Sequence, residues 1–203
     1  MAGGAGLKVA LGFRPHTGWT TVVAVGRPRG GGIRVVHRAQ VKIAPVELPV
    51  QVFHAARELD VAAAAELVAQ AVAAVGGLAQ AGVGATIAEL RSRGQHPVAA
   101  GLPVGSAALP ADLTRILASH ALLHAAEGDL YCQALADSAD RHGLALSLVP
   151  ARDLAALAGR ELRLGEAELR DRLAAIGREI GPPWRKDEKD ATLAAVLALA
   201  GAA

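Results

Sequence analysis

The segment Ile33–Ala44 constrains the fold most, because apolar and polar side chains alternate along most of its length. Successive side chains of a strand point to opposite faces of a sheet, so the pattern predicts a strand with one covered and one wet face. Leu7–Phe13 and Trp19–Gly26 precede it, have strand-like composition, and are followed by turns rich in proline and glycine. The first 44 residues therefore predict three strands in an antiparallel meander.

Two short buried strands and five helical regions are predicted for the rest of the chain. Pro97–Gly105 and Leu144–Val149 are apolar runs bounded by turn residues. Helical spacing covers residues 52–93, 110–142, 151–162, 166–180 and 187–199. The order β-β-β-α-β-α-β-α, with an extra helix before the last, predicts an α/β fold with a mixed five-stranded sheet covered by helices.

Glycines are expected to set two helix boundaries. The first helical region is too long for one uninterrupted helix, so its internal glycines should break or bend it. Gly143 should end the second region in a left-handed cap. The glycines inside the first region are Gly76, Gly77, Gly82 and Gly84.

The composition predicts a single domain over residues 1–203 with a flexible segment 1–6. Hydrophobic residues make up 52% and aromatics only 2%, so the core must consist of Ala, Val and Leu. Cys132 is the only cysteine, which rules out an intrachain disulfide and a cysteine-based zinc cluster and favours a cytoplasmic location. The Ala-rich run from Val61 to Ala88 comes nearest to a membrane span. Because it contains Glu66 and Gln70, we expect a buried helix and no membrane partner.

Charge is distributed unevenly along the chain. Residues 1–46 contain seven basic residues and no acidic one, whereas the remainder contains 14 basic and 19 acidic residues. The basic region 8–42 is therefore a candidate nucleic-acid surface. It can equally be a solvated sheet edge whose charges prevent aggregation. Its basic residues are Lys8, Arg14, Arg27, Arg29, Arg34, Arg38 and Lys42.

A polar stripe interrupts the apolar pattern of SHALLHAAEGDLY, residues 119–131. His120, His124 and Glu127 are spaced i, i+4 and i+7, so they are predicted to share one helix face. They can hold a metal ion, or Glu127 can orient a histidine that acts as a general base. The alternative is a buried hydrogen-bonded network. His120 and Glu127 are thus candidate catalytic residues, and His124 is a candidate ligand-binding residue.

The turn after the first strand is a second candidate site. Arg14, His16 and Thr17 lie there, and the carboxyl ends of strands face the ligand crevice in open α/β sheets. These side chains can bind a phosphate or another anion, or they can form an ordinary turn.

The start of the last helix is a third candidate site. Asp187 and Asp190 are three residues apart and would share a helix face as catalytic carboxylates. Alternatively, Asp187 caps the helix and the acids favour its dipole. Trp184 and Arg185 come just before and are candidate ligand-binding residues. Trp184 can instead close the core.

Two motifs, together with the order of elements, resemble the ribonuclease H-like superfamily, which includes Holliday-junction resolvases. ALGFRPHTGW at residues 10–19 is similar to the first strand and turn of resolvase-type members, GIDPGxxxxG. KDEKDATLAAVLAL at residues 186–199 is similar to their last motif, an acidic helix start followed by Asp-Ala and an apolar helix. HAAEG and GPPWRxDEKDA also resemble a bacterial family of unassigned function.

The resemblance implies nuclease chemistry with two divalent cations, Mg²⁺ or Mn²⁺. Superfamily nucleases hold the ions with carboxylates on the first strand, near the end of the fourth strand and on the last helix. Arg14 stands at the first-strand position, and LPVGSAALP provides no acid at the fourth-strand end. Asp187, Asp190 and Glu127 are left as candidate metal ligands. We therefore predict a non-standard or inactive nuclease relative that binds nucleic acid or another phosphate-bearing ligand.

Two other functions remain open at this point. The chain can be a metal-dependent nuclease or hydrolase in which His120, Glu127, Asp187 and Asp190 converge into a rearranged site. It can also be a non-catalytic module that binds a partner, with its Ala- and Gly-rich helix as a homodimer surface.

Overall fold

The computed structural model describes residues 6–28 and 32–202. Its five strands form one sheet in the order β3-β2-β1-β4-β5. β1 pairs antiparallel with β2, and β2 with β3, whereas β4 is parallel to β1 and β5 is parallel to β4. The predicted mixed five-stranded sheet is confirmed. The strands are β1 Leu7–His16, β2 Trp19–Gly26, β3 Arg34–Lys42, β4 Gln95–Val104 and β5 Ala145–Pro150.

Helices cover both faces of this sheet. The core on one face is built with α1, α2 and α4, and the core on the other face with α5, α6 and α7. The helices are α1 Val52–Ala56, α2 Val61–Ser92, α3 Leu113–Leu117, α4 His120–Arg141, α5 Leu154–Leu162, α6 Glu166–Ile180 and α7 Lys186–Gly201. A short 3-10 turn, Ala151–Asp153, joins β5 to α5.

The central helix α7 lies directly on the sheet because two strand residues there lack side chains. A Cβ at Gly12 of β1 would meet the backbone of Ala191, and one at Gly101 of β4 would meet the backbone of Ala194. Ala-rich α7 therefore approaches β1 and β4 at backbone distance. This contact fixes the start of α7 beside the carboxyl end of β1.

Side-chain caps, and not glycines, set the helix breaks. The predicted break at the glycines of residues 52–93 is wrong, because α2 runs unbroken through all four of them. The break lies at residues 57–60, where the Asp60 carboxylate accepts the N–H of Ala63 at 2.9 Å and starts α2. The predicted helix 110–142 is likewise two helices, since the Ser119 hydroxyl caps α4 by accepting the N–H of Leu122. Gly143 does end α4 with positive φ, as predicted.

One face of α2 is buried and the other is exposed. Its buried residues recur at helical spacing from Ala64 to Leu90, whereas Val72 and Leu78 are exposed. By length and composition alone, α2 could cross a membrane. In this fold its buried face packs against α4, β3 and β4.

Two strand predictions need correction. β1 continues to His16, so Arg14 and His16 lie on the strand and not in the turn after it. The register between β2 and β3 shifts between Ala24 and Val25, which forms a bulge. As a result, Val35 packs in the α7 core while Val41 packs in the α2 core, so the predicted single face of this strand is wrong. Most of the predicted segment 1–6, and Arg29 with its neighbouring glycines, lie outside the described residues.

Candidate functional site

A cleft of about 530 Å³ opens at the carboxyl ends of β1 and β4. Arg14, His16 and Thr17 line one wall, residues 103–107 after β4 line another, and α4 supplies His124 and Asp129. Ligands of open α/β sheets bind outside the carboxyl ends of the strands. The cleft is therefore the candidate site.

Arg14 forms ion pairs with two carboxylates of α7. Its Nε lies 3.4 Å from Oδ2 of Asp190 and 3.9 Å from Oδ1 of Asp187. Nε2 of His16 lies 3.0 Å from Oδ2 of Asp187, although its geometry does not satisfy a hydrogen bond. The His16 ring stacks on Trp19 with the ring centroids 4.1 Å apart. The predicted sites at the end of β1 and the start of α7 are thus one cluster of alternating charge.

The local contacts at the start of α7 let both aspartates face β1. Glu188, and not Asp187, closes the helix start: its carboxylate accepts the backbone N–H of Arg185 at 2.7 Å. Lys186 pairs with Asp190 one turn away. Asp187 and Asp190 lie on the same side of the first turn and meet Arg14 there.

The residues of this cluster do not fit the two Mg²⁺ or Mn²⁺ ions that the fold family implies. Such ions require several oxygen ligands whose negative charge is not already neutralised. Arg14 and Lys186 together offset the charges of Asp187 and Asp190, and the residues after β4 that line the cleft carry no carboxylate. Asp112, the first acid beyond them, instead caps α3 by accepting the N–H of Thr114 at 2.9 Å. We derive no metal-dependent step at this cluster.

Glu127 is buried and ties α1 to α4. Its carboxylate accepts the backbone N–H groups of Val52, Phe53 and His54 at 3.1, 2.8 and 3.1 Å. Its Oε1 also lies 3.1 Å from Nδ1 of His54. Glu127 thus satisfies the otherwise unpaired donors at the start of α1.

The polar stripe of α4 and the acids of α7 form separate groups. α4 packs on one face of the sheet and α7 on the other. In the described ranges, no hydrogen bond or ion pair links His120, His124 or Glu127 to Asp187 or Asp190. The structure therefore does not bring the five residues into one site.

A third histidine joins the two on α4. Nε2 of His124 lies 3.1 Å from Nε2 of His120, and the His54 ring centroid is 4.8 Å from that of His124. His54 comes from α1, far away in the sequence, so no local spacing could have indicated it. His124 belongs both to this cluster and to the cleft wall.

The remaining sequence candidates lie in three different environments. Thr17 is exposed on the cleft wall. Trp184 packs in the core beside α6 and α7, and its Nε1 donates to the carbonyl oxygen of Leu173 at 2.7 Å. Arg185 lines a separate groove of about 350 Å³ together with Trp19 and Arg38.

The structure divides the basic region 8–42 between both ends of the sheet. Lys42 pairs in register with Trp19, next to the carboxyl end of β1. Arg34 pairs with Gly26 at the opposite end. Arg38, between them, donates to the carbonyl oxygens of residues 180–183 and so holds the segment before α7. Of the described basic residues in this region, Arg14 and Lys42 are nearest the cleft end.

Two α4 residues in the cleft differ in their chemical reactivity. Asp129 is an exposed carboxylate of the cleft wall that sequence reasoning missed. Burial raises the pKa of the Cys132 thiol to about 11, with a further contribution from Asp129. Cys132 is therefore protonated at neutral pH and is a poor nucleophile.

Two solved structures of Thermus thermophilus RuvC resemble this chain in fold. One matches with a TM-score of 0.52 and 16% identity, and covers 93% of this chain and 91% of the RuvC chain. The other, RuvC in complex with a Holliday junction substrate, matches with a TM-score of 0.54 and 15% identity and covers 93% and 90%. This chain has a ribonuclease H-like fold. Its sequence matches neither a protein-family model nor a curated protein.

The ribonuclease H-like fold shows which position of the sheet Arg14 occupies. The expected fold is confirmed, which gives a defined place in this sheet to the β1 position for which the resemblance implied an acid. Here it carries a cation, paired with the α7 acids.

Proposed function

We propose that this chain binds nucleic acid at the carboxyl edge of its sheet and does not cleave it by the two-metal mechanism. The observation that carries the proposal is the pairing of Arg14 with Asp187 and Asp190 in the crevice. That pairing replaces a metal-binding cluster with a preformed ionic one. The RuvC neighbour in complex with a Holliday junction supports nucleic acid as the ligand class.

Basic side chains around the crevice support phosphate contacts. Lys42 lies at the β3 end beside Trp19, and Arg185 lines the neighbouring groove. Arg152 follows β5 in the 3-10 turn whose first residue, Ala151, lines the cleft. Lys42 and Arg152 are exposed, so each can contact a phosphate without disturbing the core.

Charge reversal at this edge tests the proposal. Lys42→Glu and Arg152→Glu should each weaken binding of a fluorescent four-way DNA junction, measured by anisotropy at low salt. Each phosphate contact contributes about 0.9 to the slope of log affinity against log salt for duplex DNA. Each variant should therefore lower that slope by about 1.

Arg34→Glu is the matched control, since Arg34 is an exposed arginine on the same strand as Lys42 but at its other end. It should change affinity much less than Lys42→Glu does. The proposal fails if the unmodified protein binds neither junction, duplex nor single strand at low salt. Equal losses of DNA affinity in Lys42→Glu and Arg34→Glu would show that DNA does not bind at the carboxyl edge of the sheet.

A further inference from the structure

Three of the seven histidines form a cluster beside the cleft. His54 of α1 and His120 and His124 of α4 each offer one ring nitrogen, and these atoms lie within 4.8 Å of one another. His120 and His124 are exposed and His54 is half-buried. The proposed nucleic-acid function uses none of the three.

We infer that His54, His120 and His124 form a binding site for a transition-metal ion of the zinc class. Imidazole nitrogens are preferred ligands of Zn²⁺, and three histidines are a recurring set for a zinc ion with one open position. Two nitrogens on a tetrahedral zinc ion are separated by about 3.3 Å. The Nε2 atoms of His120 and His124 are 3.1 Å apart, close to that separation.

Glu127 orients His54, the third ligand of the proposed metal site. Its carboxylate can only accept, so Nδ1 of His54, which lies 3.1 Å from Oε1, donates its proton there. The lone pair of His54 is then on Nε2, where a metal can use it. Carboxylates that hold a metal-binding histidine in this way orient the ring and raise its basicity. Glu127 also holds the His54 backbone, so both ends of this residue are fixed.

The site leaves one coordination position open to solvent. Three neutral imidazoles do not cancel the charge of a divalent ion, and His120 and His124 are exposed. Because His124 also lines the cleft, the ion would add positive charge at the cleft wall. The open position suits water or an anion such as a phosphate oxygen.

Zinc titration of tag-free, chelator-treated protein tests this site. Calorimetry should show one Zn²⁺ per chain, and Co²⁺ in its place should give a visible absorption spectrum. His120→Ala and His124→Ala should each weaken Zn²⁺ binding by more than the roughly 10–100-fold that loss of an outer-shell partner costs. His54→Ala should weaken it too, which distinguishes three ligands from an i, i+4 pair alone.

Two matched histidine variants complete the experiment. His96→Ala removes an exposed histidine outside the cluster and should leave binding unchanged. His16→Ala removes the histidine beside Asp187 and should also leave it unchanged. The inference is overturned if wild-type protein binds no Zn²⁺ at 1:1, if the cluster variants bind as tightly as wild type, or if only His16→Ala abolishes binding. DNA binding is measured separately, so the failure of one proposal is distinguishable from the failure of the other.

Discussion

The guanidinium of Arg14 places one positive charge between the two α7 carboxylates of the crevice. An acid at this place would face Asp187 and Asp190 and require a cation to offset the repulsion. The guanidinium supplies that positive charge within the chain, with contacts of 3.4 and 3.9 Å. Because the pair is partly exposed, its role is to organise the crevice more than to stabilise the fold.

Arg14→Asp should create Mg²⁺ binding that the wild-type crevice lacks. The substitution places a third carboxylate beside Asp187 and Asp190 and removes the guanidinium between them, so that only Lys186 still offsets their charge. Mg²⁺ prefers oxygen ligands. Calorimetry with MgCl₂ should show binding near 1:1 for the variant only. Arg14→Met is the control, because it removes the guanidinium without adding an oxygen ligand. Equal Mg²⁺ affinity of wild type and Arg14→Asp would contradict this account of the cluster.

His37 gives the fold a pH dependence on the acid side. Burial lowers the pKa of His37 below its usual range, Glu89 at 3.7 Å opposes this, and Arg93 adds to it. The unfolded chain therefore binds a proton at His37 more readily, and stability falls as pH drops below about 6.5.

His37→Gln should reduce that loss of stability. The difference in urea midpoint between pH 7.5 and 5.5 should be smaller in this variant than in wild type. His96→Gln, at an exposed position, should retain the wild-type difference. An unchanged pH dependence in His37→Gln would show that other groups cause it.

At the scale of elements, the contact of α7 with the sheet positions the cluster. Gly12 and Gly101 let the α7 backbone approach β1 and β4, which brings Asp187 and Asp190 to the end of β1. A methyl group at Gly12 meets backbone atoms, which cannot rotate away as a flexible side chain could.

Gly12→Ala should destabilise the protein by about 1–3 kcal/mol, the usual cost of overpacking. Gly77→Ala is the matched control inside α2. Nothing lies within 4 Å of its added methyl group. It should stabilise by about 1 kcal/mol through helix propensity. Urea unfolding measures both. A neutral Gly12→Ala would mean that α7 is not held at backbone distance from β1.

Local sequence patterns predict the presence of helices and strands better than they predict the residues at which these begin and end. Strand alternation and helical spacing depend on near neighbours, so all five strands were found. The glycines of residues 52–93 predict a break at the wrong place, because they lie inside α2 and the Asp60 side chain caps its start. The bulge in β3 also escaped prediction, since it depends on pairing with β2.

At the scale of the whole molecule, the order of elements was enough to predict the sheet, whereas the site depended on long-range contacts. Arg14 and Asp187 were each identified from their motifs, but only the fold shows that they pair. No local sequence pattern indicates that His54 joins the cluster, because it lies on another helix and is held there by Glu127. Conversely, the basic region looked continuous in sequence and is divided by strand register in the fold.

The molecule as a whole has a ribonuclease H-like fold whose crevice contains its own cation, Arg14. In the proposed function, basic residues at the carboxyl edge contact phosphates without a bridging metal at the Arg14 cluster. Junction binding by such a protein should depend on monovalent salt and not on Mg²⁺.

The most direct test is anisotropy of a labelled four-way junction with chelator-treated wild-type protein, titrated in EDTA and again in excess Mg²⁺. The proposed metal-free binding predicts an affinity in EDTA that weakens steeply with added salt, at most a modest further loss in Mg²⁺ from screening, and an intact junction in both conditions. Binding that requires Mg²⁺, or Mg²⁺-dependent cleavage abolished by Asp187→Asn, would contradict it.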